Sequence, residues 1–307
     1  MRPRIVSLPA SLAAALVAFV STASAITVSG TLGPQYGSPL SIQATQTNAG
    51  FVPQGQIDYG LGQQLDMAYG YVSGGVLYLF FTGNLSFSWN IEGQTMWLPF
   101  DVFIDCAPGG QHQLLSNNPN LDVEYDLNNM SGLEFDAGFD ADYWLSFGGN
   151  SGTWPHLQAY FGALPTAGGG AGAYLGTTLA GPPGVLSGGT NPNGIQVTMD
   201  DRNTLSIGAG CGAGVAPAVA TGIEWAIPLA AVGNPTGCIR VCAMLSCDAH
   251  SCISNQVLGP VPPGQCGFVP ASATDFSGIP GDQFFTVCPA ATPVRHGSWG
   301  TLKMLYR

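Results

Sequence analysis

Charge is what this chain has least of. Of its 307 residues only 8% are Asp, Glu, Lys or Arg, and seven basic residues face eighteen acidic ones, a net charge of −11. Lysine occurs once, as Lys303. A chain so poor in cations offers no sequence-wide attraction to nucleic acid or to an anionic membrane surface. Few charges combined with 46% hydrophobic residues also argue against wholesale disorder, and against a highly solvated cytosolic enzyme. Despite 44 glycines, neither GxGxxG nor GxxxxGK[ST] is present, so no nucleotide site of those kinds is expected. No window of helical length keeps a 3.6-residue apolar stripe, and no fixed-period repeat runs through the chain. Helical bundles, doubly wound α/β folds, propellers and solenoids therefore have no support. None of His112, His156, His250 and His296 lies near a G-x-S-x-G elbow, and each reads as a loop or surface histidine.

The first segment reads as a targeting signal. Arg2 and Arg4 precede an apolar run from about Ile5 to Val20, and Ala23-Ser24-Ala25 supplies the small residues of a cleavage site. Ser7, Pro9 and Ser11 interrupt a run already shorter than the roughly 20 residues that an anchor needs. The expected organisation is a signal peptide over 1–25, a single domain over 26–290 and a distinct tail over 291–307. With no later stretch able to span a bilayer, the mature chain is expected to be exported, to the exterior, the cell surface or the periplasm.

Cysteine usage fits that compartment. Cys106, Cys211, Cys238, Cys242, Cys247, Cys252, Cys266 and Cys288 are even in number, and disulfides are expected, with the pairing open among about 105 connectivities. A metal site is the competing reading, because His250 lies inside the series Cys238, Cys242, Cys247 and Cys252. The short x2 knuckle of zinc ribbons is missing from it. One pairing is excluded by geometry: Cys238 and Cys242 lie on an alternating segment that reads as a strand, about 13 Å apart on one side, too far for a mutual bridge.

Apolar residues recur with period two, and turn residues separate them about every ten positions, which predicts an all-β fold, an antiparallel β-sandwich of jelly-roll or immunoglobulin-like kind. The clearest strands are Val76 to Thr82, Leu98 to Asp105, Ile223 to Leu229, Cys238 to Leu245 and Phe284 to Cys288. In the second, Leu98, Phe100, Val102 and Ile104 share one face. Asp101, Phe103 and Asp105 share the other, which is expected to be at least partly wet. From Gly148 to Gly214 the chain is rich in Gly, Ala, Asn, Ser and Thr and reads as long loops.

Four segments occur in an order that resembles a known pattern. Val28-Ser29-Gly30-Thr31-Leu32-Gly33, Leu77-Tyr78-Leu79-Phe80, Val102-Phe103-Ile104-Asp105 and Ile223-Glu224-Trp225-Ala226-Ile227-Pro228 resemble the successive signatures of carbohydrate-binding module family 9-like and DOMON-like domains of exported bacterial proteins. The resemblance covers roughly 200 residues and implies a β-sandwich that binds ligands. Ser29 and Gly33 stand where the family carries acids, a departure that bears on any family site near the N-terminus. The DOMON-like likeness also implies haem through Met and His ligands, for which Met67, Met96, Met130 and His112 are present.

Candidate chemistry is spread over three groups. Asp136, Asp140 and Asp142, in an acid-rich stretch with Asp122, Glu124, Asp126 and Glu134, could supply oxygens to calcium, or could simply be solvated residues. Paired carboxylates could also serve a glycoside hydrolase, although eighteen acids always supply some pair. Trp97, Tyr143, Trp144 and Trp154 are the candidate ligand aromatics, since rings flanked by amides and acids stack on sugars, and core packing is the alternative for each. Trp225, on its alternating strand, reads as core. Trp299, Leu302 and Tyr306, beside Lys303 and Arg307, give the tail an amphipathic basic-aromatic end that reads either as a frayed terminus or as an attachment signal.

The sequence therefore predicts an exported, acidic, disulfide-bridged β-sandwich that binds rather than catalyses, with a polysaccharide or cell-envelope component as partner. A structural envelope protein and a secreted glycoside hydrolase are the alternatives.

Overall fold

A computed structural model describes residues 28–47, 64–85, 89–91, 94–96, 99–119, 121, 127–149, 157–178, 183–203, 205–208, 210–268 and 270–289. The segment read as a signal, the tail with Trp299, Leu302, Lys303, Tyr306 and Arg307, and the candidates Trp97 and Trp154 lie outside the described residues.

Fifteen strands are described: β1 (Ser41–Ile42), β2 (Gln64–Ser73), β3 (Val76–Asn84), β4 (Trp89–Ile91), β5 (Gln94–Met96), β6 (Phe100–Asp105), β7 (Tyr143–Gly149), β8 (Leu157–Ala163), β9 (Gly172–Thr177), β10 (Ser187–Gly188), β11 (Gln196–Met199), β12 (Gly222–Pro228), β13 (Ile239–Ser246), β14 (Ile253–Leu258) and β15 (Phe285–Val287). A five-stranded sheet has the order β1-β2-β3-β12-β11, and an eight-stranded sheet the order β10-β9-β8-β7-β6-β13-β14, with β15 also on β13. The strands β4 and β5 form a separate hairpin. All of these strand pairs are antiparallel, and the helical segments among the described residues are short 3-10 turns.

The alternation in the sequence explains the packing. On β3, Leu77, Leu79 and Phe81 face the larger sheet while Tyr78 and Phe80 face outward; on β12, Ile223, Trp225 and Ile227 face inward, with Glu224 between them pointing the other way. From the larger sheet Phe100, Val102, Ile104, Leu145, Val241, Ala243 and Leu245 complete the core between the sheets. The β2–β3 hairpin turns through Gly74 and Gly75, at φ 58° and 78°, a two-residue turn that only residues free of a Cβ adopt cheaply.

Three expectations change. The second face of β6 is not wet: Asp101 and Phe103 are fully buried and Asp105 nearly so. Leu114, Met130, Leu133, Phe135, Phe139 and Phe276, all from connecting segments, form a second core over that face with Phe103, Trp144, Cys242 and Met244. Second, the stretch from Gly148 to Gly214 is not only loop, because β8, β9, β10 and β11 lie in it, and Leu157, Ala159, Leu175 and Val197 bury β8, β9 and β11 against the core between the sheets. Third, six cysteines pair, as Cys211–Cys266, Cys238–Cys288 and Cys247–Cys252, while Cys106 and Cys242 are thiols. Cys106 packs against the core between the sheets and Cys242 belongs to the second core, so the two lie on opposite faces of the larger sheet. Cys238 reaches Cys288 rather than Cys242, in keeping with the strand geometry.

Candidate functional site

The sequence-derived candidates separate. Trp144 is fully buried, and its indole N–H donates to Asp101 Oδ1 at 2.8 Å, so it is core rather than ligand face. Tyr143, its neighbour on β7, points to the opposite side and packs on Phe161 with ring centroids 5.7 Å apart; two adjacent strand residues cannot share a ligand face. The three aspartates serve separate local bonds. Asp136 accepts the amides of Ala137 and Gln283, and Asp142 Oδ2 accepts those of Cys106 and Ala107, both at 2.8 Å. Asp140 is exposed, 3.3 Å from His112 Nδ1. No group of three His, Cys, Asp or Glu side chains suited to a metal ion forms among the described residues. The methionines expected for haem also part company, with Met67 on the outer face of the smaller sheet and Met130 inside the second core.

His250 sits on a turn between β13 and β14, as a loop histidine would, but not at the surface. It is wholly buried, with Nδ1 3.0 Å from Asp101 Oδ2, which also accepts the Ser246 hydroxyl. The turn that carries it has left-handed backbone at Ala249 and His250, both φ 54°, and the Cys247–Cys252 bridge closes it. That bridge, with Cys238 paired elsewhere, also removes the four-cysteine metal reading. Asp101 thus joins three elements beneath the second core: Trp144 on β7, Ser246 at the end of β13 and the His250 turn. All three partners meet a buried carboxylate, an arrangement that satisfies a group otherwise costly to bury.

The outer face of the five-stranded sheet carries the densest set of polar aromatics. Tyr69 and Tyr71 on β2, Tyr78 and Phe80 on β3 and Glu224 on β12 face the same way, and the N-terminal segment with Tyr36 lies against them. Glu224 is buried at 1% exposure, yet it is well supplied with donors. Its Oε2 accepts the amides of Ser29 at 2.6 Å and Gly30 at 3.0 Å, and its Oε1 accepts the Tyr36 hydroxyl at 2.9 Å. Burial, and then the adjacent Glu224 carboxylate, drive the Tyr36 hydroxyl far above its ordinary pKa. Two segments nearly 200 residues apart, Ser29-Gly30 and Glu224, are thereby stitched together.

Tyr71 differs from its neighbours. Its ring is half-buried, stacked on Tyr78 at 4.8 Å and edge-on to Tyr36 at 5.0 Å, and its shielded hydroxyl has no hydrogen-bond partner among the described residues. Burial, with smaller contributions from Tyr78 and Glu224, pushes that hydroxyl up to about 12. Met67, half-buried, accepts the Tyr69 hydroxyl at 3.2 Å, and Ile42, paired with Met67 on β1, is 49% exposed, as Leu40 is at 42%. Tyr36, Tyr69, Tyr78 and Phe80 are buried, so what this tyrosine face leaves open is part of Tyr71 and Met67, with an exposed apolar border at Leu40 and Ile42. The sequence reading did not single out Tyr69 or Tyr71, although Tyr69, Tyr71 and Tyr78, two apart or across a Gly-Gly turn, already place three hydroxylated rings on one side.

No family model, no curated protein and no solved structure matches the chain.

Proposed function

We propose that this protein is an exported, non-catalytic binding protein that engages a carbohydrate or other polyhydroxylated cell-surface component through the outer face of its five-stranded sheet. The carrying observation is Tyr71. Its ring is half-buried and stacked on Tyr78, which leaves part of an aromatic surface open beside the exposed Leu40 and Ile42. Tyrosine rings stack on sugar faces while hydroxyl and carboxyl groups meet the sugar hydroxyls. Two further points support the reading. Three disulfides suit an oxidising compartment, and no helix among the described residues is long and apolar enough to cross a membrane. The likeness of four sequence segments to carbohydrate-binding module family 9-like and DOMON-like domains implies a binding role of the same kind.

The test is thermal unfolding of the oxidised protein against a panel of polysaccharides, each with calcium and with chelator. A glycan that raises the midpoint of the native chain but not of Tyr71→Ala supports the reading, because only a species that prefers the folded state stabilises it. An equal rise in Tyr71→Ala removes the tyrosine face as the site and places binding elsewhere, whereas a flat response across the panel transfers the weight to a structural envelope role.

A further inference from the structure

Asp66 is the extra residue of a bulge in β2, between Leu65, which faces Gly83, and Met67, which faces Thr82. It is wholly buried, and among the described residues neither carboxyl oxygen has a hydrogen-bond partner. Its backbone carbonyl accepts the Gln43 amide and that of Ala68 accepts the Leu40 amide, so the bulge lies where the edge strand β1 is tied to the sheet. Such an arrangement is costly for an ionised carboxyl.

No compensating charge is at hand among the described residues. Of the elements packed on β2, the strands β1, β14 and β15 hold no titratable side chain, while β3 and the Pro34–Tyr36 turn bring only Tyr78 and Tyr36. The strand itself adds Tyr69 and Tyr71, and the Tyr69 hydroxyl is raised first by burial and then by Asp66. Burial alone acts on the Asp66 carboxyl and raises it from the ordinary carboxylate value to about 7.

We propose that Asp66 is a proton-operated latch on the edge of the five-stranded sheet: the neutral acid lets β1 close over the bulge, and the carboxylate, unsolvated in the closed form, admits water and releases β1. Release frees the Leu40–Gln43 segment, whose apolar side chains border the tyrosine face. The latch does not require that the face bind a glycan, and it fails or holds separately from that reading.

The sign follows from linkage. The closed form binds the proton more tightly than the open one, whose carboxyl titrates near about 3.9, so closure is favoured below that value and weakens as pH rises to about 7, levelling off above it. The experiment follows the Asp66 carboxyl by carbon NMR of the full oxidised chain, together with amide exchange at Leu40 and Gln43, in the native protein and in Asp66→Asn. In the native protein, a carboxyl titrating near neutrality, absent from Asp66→Asn, is expected. After correction for intrinsic exchange, protection at the two amides should fall on the order of a hundredfold between about pH 5 and about pH 7.5, and Asp66→Asn should show no such fall. An Asp66 that titrates near 4, or a loss of protection that persists in Asp66→Asn, overturns the latch. Should Asp66→Asn not fold, the native carboxyl titration decides alone.

Discussion

Replacing Glu224 should unfasten the N-terminal segment before it unfolds the sandwich. The carboxylate accepts two backbone amides and one hydroxyl, at 2.6, 3.0 and 2.9 Å, while buried at 1% exposure. Hydrogen bonds to a charged group are worth about 1.5–3 kcal/mol each, so three would sum to well above what is lost, because the freed segment recovers water. Glu224→Ala should therefore cost about 3–5 kcal/mol, through the bonds lost and the donors left unmet. Glu224→Gln can keep its oxygen on the Ser29 and Gly30 amides and turn its NH2 to the Tyr36 hydroxyl, which can accept, so it loses mainly the charge and should cost about 1–2 kcal/mol. Tyr36→Phe leaves both amide bonds in place and should cost only about 1 kcal/mol. Denaturant unfolding gives the order, and limited proteolysis locates it: cleavage within residues 28–37 should appear in Glu224→Ala at denaturant concentrations where the native chain resists. If Glu224→Ala and Tyr36→Phe destabilise equally, or no cleavage appears near the N-terminus, the stitch is not what holds that segment.

Trp144→Ala should destabilise by about 3–5 kcal/mol through the cavity it leaves and the Asp101 oxygen it orphans; a stable Trp144→Ala protein that merely lost ligand binding would return this residue to a ligand face. The two thiols should resist an alkylating reagent at neutral pH and react only on unfolding. Burial, with Asp142 and Asp105 nearby, pushes Cys106 up to about 12, and Cys242 is raised by deeper burial, so thiolate is scarce in both. Rapid native labelling of two thiols would mean that one of these segments opens readily.

The strands were legible because alternation reports directly on which residues share a side. Leu77, Leu79 and Phe81 against Tyr78 and Phe80, or Ile239, Val241, Ala243 and Leu245 against Arg240, Cys242 and Met244, assign two faces from sequence alone. A period of two says that the faces differ; it does not say what covers the second one. Asp101 looked solvated because it is charged, and only the packing of residues 127–139 and 271–276 over β6 reveals it as the centre of a buried network with Trp144, Ser246 and His250.

By itself, then, the sequence determined an all-β chain, bridged by disulfides, with Trp225 in its core and no pairing of Cys238 with Cys242, because strand periodicity and rise are local properties. The tertiary structure decided which cysteines pair, which carboxylates are buried and which tyrosines gather. Those outcomes depend on segments brought together from far apart, as Ser29 is with Glu224 or Cys238 with Cys288, and no local pattern encodes that juxtaposition.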